Sequence, residues 1–184
     1  MANTAQLDRL QQGIASWNRW RQDNGNVLPD LSNANLIRFN LSKANLSHAN
    51  LQQTIFNTAN LSKALLINAN CSGAYLVEAN LSQANLQGAN CSNTVLVGAD
   101  LHEANLDRTN FHRANLNAAN LSFATLCGAD CRGAELKGTD LSFADLSGAK
   151  LQGADLRLAN LTQTKLETAN LEGAKLASTT KDPE

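Results

Sequence analysis

Aromatic residues make up only 4% of this 184-residue chain, too few for a globular core built on large rings. The sequence also lacks an apolar run near the roughly 18–20 residues of a membrane-spanning helix, and its start lacks the basic and apolar segments of a secretory signal. The net charge of −1 provides no general attraction to nucleic acid or acidic lipid. We therefore expect a cytoplasmic protein that binds neither nucleic acid nor a membrane, with its four cysteines as thiols.

A five-residue repeat fills most of the chain. Every fifth residue from Leu31 to Leu176 gives thirty positions, of which twenty-five are Leu, two are Phe and three are Cys. We call these the central residues. Two places before a central residue the side chain is small, nearly always Ala, with Phe39 as the large exception, and the residue between them is most often Asn or Asp.

The period of five excludes a continuous helix or strand. On a helix the leucines would spiral around the whole surface, and on a strand they would alternate between the two faces. The chain must therefore bend once per repeat, and nine of the eleven glycines lie two residues after a central residue, where a tight turn needs them. Four bends of about 90° close a square coil, and coils stack about 4.8 Å apart through parallel hydrogen bonds. Thirty central residues at four per coil predict an all-β solenoid of about 7.5 coils.

The repeat resembles a known family. Residues 44–48 read ANLSH, residues 84–88 read ANLQG and residues 154–158 read ADLRL. These units look like the A(D/N)LXX unit of the pentapeptide-repeat family, and they continue in register for about 150 residues. The resemblance implies a right-handed quadrilateral parallel β-helix. A long array behind a short helical segment is similar to cyanobacterial members of the family.

The sequence divides into an N-terminal helical cap at 1–28, the repeat β-helix at 29–178 and a C-terminal tail at 179–184. Asn3 is expected to cap the helical segment together with Gln6, and Gly25 and Pro29 are expected to end it. A one-sided apolar stripe predicts that this segment covers the open end of the first coil. The stripe consists of Leu7, Leu10, Ile14, Trp17 and Trp20. A membrane-surface helix is the less favoured alternative, because the polar face mixes acidic and basic residues.

The C-terminal end has no comparable helix in the sequence. Either the tail folds over the last coil or this end pairs with another subunit, as the resemblance implies for some family members. We therefore carry end-to-end dimerisation as a hypothesis. Two columns of Asn and Asp, spaced by twenty residues, are interpreted as structural ladders. They contain Asn50, Asn70, Asn90 and Asn110 in one column, and Asn40, Asn60, Asn80, Asp100 and Asn120 in the other.

Neither the cysteines nor the histidines indicate chemistry. Cys71, Cys91 and Cys131 are central residues of one wall with Phe111, so small thiols beside a large ring favour core filling over a redox or metal site. Whether Cys71 and Cys91 are ever oxidised stays open. Cys127 should point outward, away from Cys131, which makes a poor zinc pair. None of the three histidines is expected to have a carboxylate at its own height and wall. We expect no enzyme activity, no catalytic residue, no cofactor, no metal and no small-molecule substrate.

One wall carries apolar residues where solvent-facing polar ones are expected. Its members flank the central residues 36, 56, 76 and 96. They are Ile37, Ile55, Tyr75, Val77, Val95 and Val97. Contiguous exposed apolar residues mark contact sites, although β-branched residues also simply suit strands, and both interpretations remain open. Smaller apolar features are Phe123 above Phe143 at one corner and Leu158 at another.

The favoured function is therefore a non-catalytic scaffold or protein-interaction module. Its partner is an unknown protein or a second copy bound through the apolar wall or the C-terminal coil. The resemblance also implies an alternative, a DNA-mimicking inhibitor or protector of DNA gyrase, which needs a strongly acidic rod. Residues 31–178 hold eleven acidic and eleven basic residues, so this alternative is disfavoured. A purely structural rod is the third hypothesis.

Overall fold

The structure, a computed structural model, describes residues 2–176, so the predicted tail at 179–184 lies outside the described residues. It begins with two short helices, α1 at Thr4–Gln11 and α2 at Ile14–Asp23. The helical segment expected from the sequence is therefore divided into two helices. Gly13 between the helices has a φ of 107°, which breaks the helix and which glycine adopts without a side-chain clash. Among residues 2–176 no helix is long and apolar enough to cross a membrane.

Stacked square coils follow the helices. Parallel backbone bridges join residues that are twenty apart, from Asp30 with Asn50 to Asp155 with Lys175. We number the four faces in chain order by their bridging residues: face 1 from residue 30, face 2 from residue 35, face 3 from residue 40 and face 4 from residue 45, each repeating every twenty residues. Within 2–176 the faces form isolated parallel bridges and no longer strands. Each face contributes a single bridging residue per coil, because a corner follows every fifth residue.

The interior is filled by the central residues. From Leu31 to Leu161 every central side chain is at most 4% exposed, and the Ala residues two places earlier fill the space between them. Some of these earlier positions hold Thr, whose buried hydroxyl needs a partner. Thr54 donates to the Leu31 carbonyl at 2.8 Å and Thr109 donates to the Leu86 carbonyl at 2.8 Å. A polar side chain is thus accommodated in the core because it bonds the backbone.

Each corner is a hydrogen-bonded turn in which the residue two after the central one has a positive φ. In the first turn Ala34 N–H donates to the Leu31 carbonyl at 3.1 Å, and Asn33 has a φ of 59°. Positive φ at the third residue of such a turn is the property of a type II turn. The corner prediction from glycine is correct, but twenty non-glycine corner residues adopt the same conformation as the nine glycines. The fold therefore tolerates a left-handed residue of almost any type once per repeat.

Asn and Asp before the central residue stabilise these corners. Their side-chain oxygen accepts the backbone N–H two residues later, as in Asp30 with Ser32 at 3.0 Å. The predicted ladders form only in part. Asn90 donates to Asn70 at 3.3 Å and Asn110 donates to Asn90 at 3.1 Å. In the other column Asn120 donates to Asp100, whereas within the described residues Asn40, Asn60 and Asn80 make no amide bond to one another.

The helices cap the first coil with side-chain hydrogen bonds. Asn18 accepts Asn45 N–H at 2.8 Å and donates to the Lys43 carbonyl at 2.9 Å, so its amide replaces a missing coil. Trp17 donates its indole N–H to the Asn45 carbonyl at 2.9 Å. Arg21 is buried and donates to the carbonyls of Val27 and Ser47. The open edge of the solenoid is thereby satisfied by α2.

The apolar stripe of the helices packs against the core of the solenoid. Leu10 and Trp17 are buried, and Leu7, Ile14 and Trp20 are half-buried against the same core, as is Phe39 of the first coil. Asn3 does cap α1, accepting Gln6 N–H at 3.2 Å. The reciprocal bond is different from the one expected: the Gln6 side chain accepts Asp30 N–H at 2.7 Å, and it therefore ties α1 to the first coil. The last helix ends at Asp23, before Gly25.

Candidate interaction surface on face 2

Face 2 has two parallel columns of outward residues, one before and one after the central residues. Ile55, Tyr75 and Val95 are bridged in succession in the first column. Ile37, Val77 and Val97 belong to the second column, which Asn57 interrupts. Tyr75 is 47% exposed and Ile37 is 42% exposed, and the other four are half-buried. We call these six residues the apolar wall. The structure places all six on one face over neighbouring coils.

Beyond its first coil, the apolar wall lacks the local hydrogen bonds that Asn or Asp provides elsewhere. Val77 N–H is compensated by Asn57 of the preceding coil, at 3.1 Å. The N–H groups of Asn57 and Val97 have no acceptor among the described residues. Replacing Asn by Ile55 and Val95 therefore gives up a turn-stabilising bond. Strand propensity is a weak reason for these residues, because each face holds only one bridging residue per coil.

The later coils of face 2 are charged instead of apolar. Glu135 and Asp155 occupy the column before the central residues, and Lys137 and Arg157 occupy the column after them. The Arg157 guanidinium bonds both oxygens of Asp155, at 2.8 and 2.5 Å, and these bonds lower the pKa of Asp155 to about 2. A shallow groove of about 410 Å³ includes these four side chains and the side-chain-free corner at Gly153. Counting in steps of twenty residues places Glu135 and Asp155 in one column from the sequence alone, but the basic column beside them was not predicted.

Other exposed apolar residues lie at the corners. Phe123 and Phe143 are stacked with ring centroids 4.8 Å apart and planes 6° apart, and each is about half exposed. His102 contacts the Phe123 ring edge-on at 5.6 Å, and it lies 3.5 Å from the Glu103 carboxylate. The expectation that no histidine has a carboxylate nearby was therefore wrong for His102. Leu158 lies alone at the corner after face 2 and is 57% exposed.

The four cysteines are free thiols in the structure. The hydrogen bond with Cys71, together with burial, raises the pKa of Cys91, and burial raises the pKa of Cys131 to about 12. Cys127 is half-buried, and burial and the neighbouring carboxylates of Asp107 and Asp145 raise its pKa to about 11. A protonated thiol is a weak nucleophile and a weak metal ligand. Across residues 2–176 no group of three or more His, Cys, Asp or Glu residues is arranged to hold a metal ion.

The repeat array matches the protein-family model for pentapeptide repeats in eight copies. The matched residues are 30–62, 44–83, 74–113, 84–121, 114–153 and 154–180. The comparison with curated proteins gives no significant match. The family match confirms the expected right-handed quadrilateral β-helix, because this is the fold of pentapeptide-repeat proteins.

Solved structures of cyanobacterial pentapeptide-repeat proteins are similar to this chain. Rfr23 from Cyanothece 51142 is 29% identical, with 61% of this chain and 91% of that chain covered and a TM-score of 0.60. HetL from Nostoc sp. strain PCC 7120, a protein involved in heterocyst differentiation regulation, is 32% identical over 82% of this chain and 84% of that chain, with a TM-score of 0.49. Another Nostoc protein, alr5209, is 52% identical over 42% of this chain and 64% of that chain, with a TM-score of 0.42.

Proposed function

Because the chain belongs to the pentapeptide-repeat family, we propose that it is a non-catalytic scaffold that binds a protein partner, either a different protein or a second copy, through the apolar wall. The observation that carries the proposal is the stack of Ile55, Tyr75 and Val95 beside Val77 and Val97, exposed or half-buried on neighbouring coils. Isolated exposed apolar residues are ordinary, whereas contiguous ones are typical of a contact surface. Tyr75 lies at the middle of the wall, and Tyr is one of the residue types enriched among those that dominate binding energy at interfaces.

The remaining surface and the interior support a scaffold more than a catalyst. The central side chains fill the interior, so substrate would have to bind on the outside. An outer groove of about 660 Å³ lies along face 1 and is lined mainly by amides, hydroxyls and Asp30. The pKa values of Cys127 near the surface and Cys131 in the core are raised, which disfavours nucleophilic chemistry by these two thiols at neutral pH.

The charge distribution gives no support to DNA mimicry. Asp130 is paired with Arg132 at 2.6 Å, and Asp155 is paired with Arg157 at 2.5 Å. Acidic and basic side chains thus neutralise one another locally, whereas a DNA-like rod needs a field of one sign along its length. We expect DNA gyrase supercoiling to be unchanged by an excess of this protein, and inhibition or protection of gyrase would contradict this expectation.

The proposed docking role is tested by comparing proteins retained from an extract of the source cells. The wild type is compared with the double variant Tyr75→Glu/Val97→Glu, which places charge at the middle of the wall. The matched control is Phe123→Glu/Phe143→Glu, which places the same charge at another exposed apolar site. We expect a retained protein to be lost with the first variant and kept with the second, while both variants melt as cooperatively as the wild type. Equal retention by both variants would contradict a role for the wall.

A further inference from the structure

We infer that the occupant of face 2 is a second copy of this chain, bound side by side, parallel and in register. This inference rests on the proposed function, because it uses the apolar wall as the docking surface. It adds a specific partner and a specific orientation. Three features of face 2 carry it: the arrangement of its charges, the position of its apolar residues and the contrast between its two corners.

The charges of face 2 are ordered by column. The column before the central residues holds the acidic Glu135 and Asp155 on successive coils, and Lys175 follows them on the last described coil. The column after the central residues is basic, with Lys137 beside Glu135 and Arg157 beside Asp155. Each of these two coils, 135–137 and 155–157, therefore presents an acidic residue on one side of the face and a basic residue on the other. If a second copy faces this surface with its left and right sides exchanged, each acidic residue lies opposite a basic residue.

A two-fold axis that runs parallel to the rod, between two facing copies of face 2, makes this exchange at constant height. Glu135 of one copy then faces the partner's Lys137, and Asp155 faces the partner's Arg157. Opposite charges meet at all four positions of the symmetric pair. At exposed sites each ion pair contributes little affinity, but complementary charge fixes register and excludes wrong orientations.

The same axis keeps the apolar residues together. Tyr75 faces the partner's Val77, and Val95 faces the partner's Val97, so two complete coils are apolar on both sides. The coil before them places Ile55 against the partner's Asn57. Association would remove the exposed surface of Tyr75 from water, which is the favourable term that charge alone does not supply.

The corners of face 2 also match under this axis. Leu158, at the corner after face 2, comes to the height of Gly153, at the corner before it. Leu158 is 57% exposed, and no atom lies within 4 Å of the position where Gly153 would carry a Cβ. A leucine of one copy therefore meets an open, side-chain-free corner of the other. This contact gives a role to a large apolar side chain that is otherwise exposed to water.

An antiparallel arrangement does not use these features. A two-fold axis perpendicular to the rod matches each column with itself, so that carboxylates face carboxylates where charged coils overlap. If the axis is centred on the apolar wall, the charged coils have no counterparts. Only the parallel arrangement satisfies the apolar and the charged halves of face 2 together.

The test uses two charge-reversed variants and measures mass by sedimentation equilibrium. The cationic variant is Glu135→Lys/Asp155→Lys, and the anionic variant is Lys137→Glu/Arg157→Glu. We expect the wild type to dimerise, each variant alone to bind itself at least about tenfold more weakly through like-charge contacts, and an equimolar mixture of the two to recover a dimer. The matched control reverses Asp130 or Arg132, which form the same local ion pair on face 1, and is expected to dimerise like the wild type.

Orientation is tested by zero-length carbodiimide cross-linking of a mixture of isotope-labelled and unlabelled chains. The parallel arrangement predicts a cross-link between Glu135 of one isotope and Lys137 of the other. A wild type that stays monomeric at millimolar concentration, or a mixture of variants that stays monomeric, overturns the inference, and so does a dimer without this mixed cross-link. The proposed function would survive these failures if retention of another protein still depended on Tyr75 and Val97.

Discussion

Asn18 offers a direct test of how the helices close the open end of the solenoid. Its side chain accepts Asn45 N–H at 2.8 Å and donates to the Lys43 carbonyl at 2.9 Å. Asn18→Ala removes both bonds, and at about 1 kcal/mol for each we expect a loss of about 2 kcal/mol in the free energy of unfolding. Asn18→Asp keeps the acceptor but loses the donor, and it places a carboxylate against the Lys43 carbonyl. We expect Asn18→Asp to cost about 1–2 kcal/mol at pH 7.

The aspartate variant also makes a prediction with a definite sign in pH. A protonated carboxyl can donate to the Lys43 carbonyl, so the folded state raises the pKa of the new Asp above its ordinary value of about 3.9. The stabilising contribution of the protonated form is then fully present below that value and is lost as the pH rises through the raised pKa. Relative to wild type at the same pH, Asn18→Asp should become less destabilising as the pH falls through the raised pKa towards about 4, and should change little below that pH.

Urea unfolding of the two variants and wild type, at pH 7 and pH 3.5, measures these differences. Hydrogen exchange of the Asn45 amide provides the local readout, since Asn18→Ala should expose this amide and Asn18→Asp should keep it protected. Two results would refute the conclusion that Asn18 replaces the hydrogen bonds of a missing coil. One is that Asn18→Ala unfolds with the same free energy as the wild type, and the other is that the Asn45 amide of the wild type exchanges rapidly.

Three further predictions concern the corners, the core hydroxyls and the thiols. Gly138 has a φ of 66° and open space around it, so Gly138→Ala should lower the free energy of unfolding by about 1 kcal/mol through backbone strain alone. Thr58→Gly should raise the free energy of unfolding by a similar amount, because it relieves the same strain. Urea unfolding measures both variants, and no change in either would contradict the conclusion that these corners are strained. Thr109→Val removes the donor to the Leu86 carbonyl and should cost about 1 kcal/mol in the same assay, whereas unchanged stability would show that this bond contributes nothing. Cys127 should react slowly with iodoacetamide at pH 8 and faster as the pH approaches about 11, and rapid reaction at pH 8 would contradict its raised pKa.

The fold could be predicted from the sequence because its signal repeats thirty times. The repeat marks inward positions with a central Leu and a small residue two places earlier, and it marks corners with a glycine two places later. A single exception such as Phe39 does not change the period. The Asn–Asp preference was correctly assigned to structure, but its main bond is to the backbone N–H two residues later, as Asp30 shows with Ser32. Local periodicity does not distinguish this bond from a ladder along the axis.

The cap could not be predicted at the same level, because its contacts depend on tertiary placement. The spacing of Asn3 and Gln6 indicates a reciprocal helix cap, yet the edge of the first coil offers Gln6 the N–H of Asp30. Asn18 and Arg21 are polar residues of a helix with no signal in the sequence that they bond coil carbonyls. On face 2 the six apolar residues could be assigned to one wall by counting in steps of twenty. The complementarity of the charged columns could be recognised only from the structure, which shows that the acidic and basic residues lie on opposite sides of the face.

The central claim is that face 2 is the surface through which this protein binds. Amide chemical shifts of the isotope-labelled chain, followed by nuclear magnetic resonance as its concentration is raised, test this claim most directly. We expect concentration-dependent shifts on face 2, at Tyr75, Val77, Val95 and Val97 and at Glu135 to Lys137, with little change on face 4. Chemical-shift changes centred on another face or on the C-terminal coil would contradict the claim. The absence of any change, both at millimolar concentration and after addition of a retained protein, would also contradict it.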